Sequence, residues 1–186
     1  MFIQTEATPN PATLKFIPGR PVLDRGTLEF RDATESKSSP LAARLFEIEG
    51  VKGVFFGTDF ISVTKGDGEW QHLKPAILGA IMEHYLSCEA VTDEESAGDS
   101  GESGEFYAPE DEDTVKTIKE LLETRVRPAV AQDGGDITFK GYREGVVFLN
   151  MRGACSGCPS STATLRHGIE NLLRHFVPEV QEVRPV

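Results

Sequence analysis

Cysteine is scarce in this chain: Cys88, Cys155 and Cys158 are the three among 186 residues. So few exclude a secreted scaffold held by several disulfides. They also leave any four-thiolate metal cage short of ligands within one molecule. Histidine does not fill the gap. His167 and His175 stand on one helical stretch about 80° apart around its axis, too wide for a paired ligand site, and with His72 and His84 they are expected at the surface. Apolar runs long enough to span a bilayer are lacking, so no membrane helix is expected.

Positive charge is lacking as well. There are 19 bases against 30 acids, a formal net charge of −11. The imbalance is local: residues 89–113 hold eleven acids and no base, and what precedes and follows them is close to neutral. Neither part carries the basic excess of a nucleic-acid binder. The opening MFIQTEATPNP has neither a charged and then apolar leader nor an Arg/Ser-rich amphipathic one, which predicts a soluble, cytoplasmic protein. In a reducing compartment a close thiol pair points to metal binding or redox chemistry rather than to a structural bridge.

The acidic stretch, rich in Glu, Asp, Ser and Gly, offers almost nothing to bury and reads as a flexible linker over 89–111. About 25 such residues span roughly 25–30 Å on flexible-chain statistics. The linker divides the chain into domains at 1–88 and 112–186, both of α+β class. In the first, FIQTE and TLKFI flank the turn ATPNPA, Ser39-Pro40 caps a short helix, GVKGVFFGTDFISVTK reads as a second hairpin, and Pro75 opens a helix, giving ββαββα. In the second, a helical stripe from Val115 to Val126 meets Pro128, which should kink or end it. Gly134-Gly135 then breaks the chain, DITFKGY and VVFLNM form a hairpin around Glu144-Gly145, a helix runs from Pro159 to Phe176, and EVQEV reads as a last strand: αββαβ. Phe55, Phe60 and Trp70 are candidates for either core or docking face.

GACSGCPSS, residues 153–161, falls in the turn between a strand and a helix. Pro159 suits the first helical position and Cys158 the N-cap, so free N–H groups of the first turn lie near the sulfurs and favour an anionic ligand. The glycines let backbone approach a bulky inorganic group. Both thiols are expected in an exposed loop outside the core, so that Cys155→Ala or Cys158→Ala would remove a ligand for such a group and spare the fold. Two ligands per chain become four across a two-fold contact, which suits one [4Fe–4S] cluster per dimer. A dithiol oxidoreductase and a zinc-bearing module remain alternatives from the spacing. Cys88, distant in sequence and unaccompanied, reads as a half-buried bystander.

RPAVAQDGGDI and VVFLNMRGACSGCPSSTATLRHGIE, with their GxCxxCPSSxxTL core, resemble the NifU-like C-terminal domain of the Nfu iron–sulfur proteins. MFIQTEATPNPATLKF, SPLAARLFEIEGVKGVFFGTDFISVTK and WQHLKPAILGAIMEHY resemble the N-terminal domain of the same family. The resemblance implies a scaffold or carrier, not an enzyme, whose Cys155 and Cys158 ligate a labile [4Fe–4S] cluster and which passes it to apo-proteins. It implies a homodimer when loaded, upstream assembly proteins as donors, and a role for the N-terminal domain in partner contact. The chain lacks the central cysteine-rich domain of long NifU proteins, so no permanent second cluster is expected.

Overall fold

The structure is a computed structural model that describes residues 1–92, 104–155 and 159–186, with backbone alone at 159–161. Two compact units divide the chain, Met1–Gly98 and Asp99–Val186. Both are α+β, as the patterning requires.

In the first unit β1 (Gln4–Ala7) and β2 (Thr13–Ile17) form the expected hairpin, closed where Thr13 N donates to Asn10 O at 3.0 Å. A strand absent from the pattern reading, β3 (Leu28–Phe30), follows. Helix α1 (Pro40–Phe46) begins where Ser39 Oγ accepts from Ala42 N, with proline at its first position. Strands β4 (Val51–Phe56) and β5 (Ile61–Lys65) complete an antiparallel sheet ordered β1-β2-β5-β4-β3. Helix α2 (Trp70–Leu86) starts five residues before the proline expected to open it. The extra turn is retained because Leu73 is buried and Trp70 packs on the core and donates from Nε1 to Pro11 O at 3.1 Å, offsetting the backbone bond that Pro75 cannot donate. Phe16, Leu41, Phe56, Ile61 and Ile77 are wholly buried between sheet and helices. Phe55 and Phe60, buried with ring centroids 5.9 Å apart, are core residues and not a docking face.

In the second unit α3 (Glu112–Leu121) runs into a π-helical turn, Leu122–Val126, and on into α4 (Arg127–Gln132). The widened turn sits where the ring of Pro128 would crowd the carbonyl of Thr124, so the expected break takes the form of a bulge within a continuous rod. Strands β6 (Gly135–Arg143) and β7 (Val146–Gly153) pair antiparallel through Glu144 and Gly145, both at positive φ as a tight two-residue hairpin demands. Helix α5 (Pro159–Phe176) starts at the proline the sequence marks. Strand β8 (Glu182–Pro185) then returns parallel to β7, so the sheet is ordered β6-β7-β8. Val115, Ile118, Val130, Ile137, Leu149, Leu173 and Val183 fill the space between this sheet and the helices.

Within the stretch read as linker, both ends have partners. Glu89 accepts from Arg44 Nη2 at 3.1 Å, and the Val91 carbonyl accepts from Ser39 Oγ. Phe106 bridges to Gly141 and Pro109–Asp111 forms a 3-10 turn ahead of α3. The intervening residues, 93–103, lie outside those described.

Candidate metal centre

Strand β7 ends at Gly153, whose φ of 69° turns the chain back on itself. Ala154 N then donates to Gly134 O at 3.2 Å, tying the turn to the start of β6. From the other side Thr162, on the first turns of α5, donates its hydroxyl to the Cys155 carbonyl at 2.9 Å. The Cys155 backbone is thus held between the strand pair and the helix head.

Its sulfur is not where the sequence places it. Cys155 is 6% exposed and belongs to the core of its unit, instead of standing in an open loop. The reason is Gly135, paired with Gly153 across the strands: a Cβ built there would lie 2.8 Å from Cys155 Sγ and 2.7 Å from the Arg152 carbonyl oxygen. A missing side chain makes the room that the sulfur fills. Burial, with the carboxylates of Asp133 and Asp136 adding to it, pushes the thiol up to about 12. The neutral thiol is therefore the resting form, opposite to the thiolate that the helix terminus alone would favour.

Asp136, next to Gly135, is buried and holds Arg127 with both oxygens, at 2.9 Å from Nε and 3.1 Å from Nη2. Burial works against the guanidinium charge, but the paired bonds to Asp136 and the contact with Glu123 outweigh it and hold Arg127 charged. Arg127 is the first residue after the π turn. Neither Gly135 nor this pair was identified from the sequence, although the Asp133-Gly134-Gly135-Asp136 run marked a break that needed a cause.

Cys158, the second expected ligand, lies outside the described residues. Among those described, no group of three or more His, Cys, Asp or Glu side chains is gathered as a metal cage. Cys88 is exposed, not half-buried: it follows α2 with φ at 56°, the left-handed position after a helix end, which turns its side chain outward. His72, His167 and His175 are exposed as expected, but His84 is fully buried in α2. It sits on the inner face of the helix with Leu73, Ile77 and Ile81, a spacing that also would have marked it for the core.

Residues 3–88 match the family model described as scaffold protein Nfu/NifU N terminal, and 118–184 match the NifU-like domain, which spans Cys155 and Cys158. Over 188 aligned residues the chain is 50% identical to the human NFU1 iron-sulfur cluster scaffold homolog, mitochondrial, covering all of this chain and 72% of that one. The chain belongs to the Nfu family. NifU-like protein 4, mitochondrial, of Arabidopsis thaliana is 48% identical, with 98% of this chain and 65% of the relative aligned. A solved NifU-like protein from Saccharomyces cerevisiae superposes with a TM-score of 0.46 at 25% identity, over 50% of this Nfu chain and 86% of that one. No described helix of this Nfu chain is long and apolar enough to cross a membrane.

Proposed function

We propose that this chain is an iron–sulfur scaffold and carrier in which Cys155 and Cys158 of two copies share one [4Fe–4S] cluster, later surrendered to an apo-protein. The observation that carries this reading is identity along the whole chain to proteins named as iron–sulfur cluster scaffolds, with the NifU-like match spanning the two cysteines. Cysteine arithmetic supports the shared cage: each chain brings two thiols separated by two residues, and a two-fold contact doubles them.

The cluster is cargo, and the chain's task is to hold it loosely. Cys155 begins protonated and packed against Gly135, so ligation takes the sulfur off its packed place and its proton into solution. Returning Cys155 to the core favours release, and an incoming client thiol gains from that pull. The acidic stretch acts as a tether, leaving the N-terminal unit to engage partners while the C-terminal unit carries the cluster.

Anaerobic loading of wild type and of Cys88→Ala, Cys155→Ala and Cys158→Ala, followed by transfer to a purified apo-[4Fe–4S] protein, tests this. The expected outcome is a cluster chromophore and client activation for wild type and Cys88→Ala, and neither for the other two. Loading that survives loss of Cys155 or Cys158 would contradict it. Cys155→Ala should also cost about 1 kcal/mol in folding stability, since it removes a buried sulfur from the core, which a urea melt of the cluster-free protein would read.

A further inference from the structure

Strand β6 is the outer strand of its sheet, and an outer strand presents backbone groups for another chain to pair with. Here one residue does so. Phe106 donates its N–H to Lys140 O at 3.2 Å and accepts from Tyr142 N at 2.8 Å, an isolated parallel bridge opposite Gly141. Among the described residues the pairing goes no further, and Phe106 remains 43% exposed.

The bridge is side-chain selective. A Cβ on Gly141 would stand 2.5 Å from the Phe106 ring, so the bare glycine is a slot for an aromatic, floored by Phe148 at 5.1 Å between ring centroids. Before the ring, Glu105 pairs with Lys119, whose ammonium also lies 5.5 Å from the Phe139 ring centre. Beyond the ring a cleft of about 670 Å³ lies between residues 106–108, a wall that an incoming segment would replace, and Tyr142 and Arg143, and the carboxylates of Glu110, Asp111 and Glu144 outnumber its one guanidinium.

We infer that the outer edge of β6 is a docking site for an extended segment of a partner protein, and that Glu105–Phe106–Tyr107 is the chain's own placeholder in it. The partner segment runs parallel to β6 and carries an acidic residue, then an aromatic, then a basic residue two or three places on. The acid meets Lys119, the aromatic enters the slot at Gly141, and the base faces the carboxylates of the cleft. Such a segment makes the two backbone bonds of Phe106 and adds the charge contact that the placeholder, followed by Tyr107 and Ala108, leaves unused. The site involves neither Cys155 nor Cys158, so it is independent of the cluster reading and cluster-free protein suffices to test it.

A short labelled peptide with glutamate, phenylalanine and, two places on, lysine is titrated by fluorescence anisotropy. Phe106→Ala removes a competitor held at high effective concentration and should tighten binding about tenfold. Gly141→Val added to Phe106→Ala should abolish binding by filling the slot. A peptide with the two charges exchanged should bind the Phe106→Ala protein at least about tenfold more weakly, and Lys119→Glu should reduce that preference, which keeps the test decisive should Gly141→Val fail to fold. Unchanged or weaker binding in Phe106→Ala overturns the proposal. So does indifference to charge order, or a Phe106→Ala protein whose edge is taken by a second copy, seen as concentration-dependent dimerisation that competes with the peptide.

Discussion

Two side chains carry costs that single substitutions should remove. His84 is fully buried and neither ring nitrogen has a hydrogen-bond partner among the described residues; Glu89 Oε2 lies 3.9 Å from Nδ1, beyond bonding reach. Burial, aided by Arg44 and opposed by Glu89, holds the imidazole below its ordinary value. Around pH 6.5 and below, the unfolded chain therefore binds a proton that the folded chain resists, so this group's contribution is present above about pH 6.5 and lost as pH falls. His84→Met should raise stability by about 1 kcal/mol at pH 7 and more at pH 5, read by urea melts at the two values. Equal or lower stability at both would count against it. Cys88 occupies a left-handed backbone position at no gain in burial, and Cys88→Gly should add about 1 kcal/mol by the same measurement.

Among the elements, those with a local chemical cause were legible in the sequence. Ser39-Pro40 started α1, Pro159 started α5, and the residues around Glu144-Gly145 closed the second unit's hairpin. What was not legible depended on partners distant in the chain. Strand β3 has three residues, one of them Glu29, and exists because β4 pairs with it. The start of α2 depends on contacts of Trp70 and Leu73 that periodicity counted from Pro75 could not supply. At the candidate site the sequence singled out Cys155 and Cys158, but the depth of Cys155 is set by Gly135, which reaches it only through strand register. The Arg127–Asp136 pair belongs to this class, because it joins α4 to β6. Asp136→Ala should strand the half-buried guanidinium and cost about 2 kcal/mol, and it should also speed alkylation of Cys155 in a Cys88→Ala, Cys158→Ala background. A stability loss without faster labelling would separate Asp136 from the cysteine turn.

For the molecule as a whole, the central claim of the proposed function concerns number: two thiolates from each chain, and therefore a cluster shared by two chains at once. On that proposal, a sulfur at rest in the core and a cage completed by a second copy would make binding and release parts of one equilibrium. That claim is separable from the choice of client and from the edge of β6. The most direct test is the native mass of the anaerobically loaded full chain, measured together with iron and sulfide content. The account predicts a species of two chains holding about four irons and four sulfides, that is, about two of each per chain, reverting toward single chains when the cluster is removed. A loaded species of one chain with a complete cluster would contradict it.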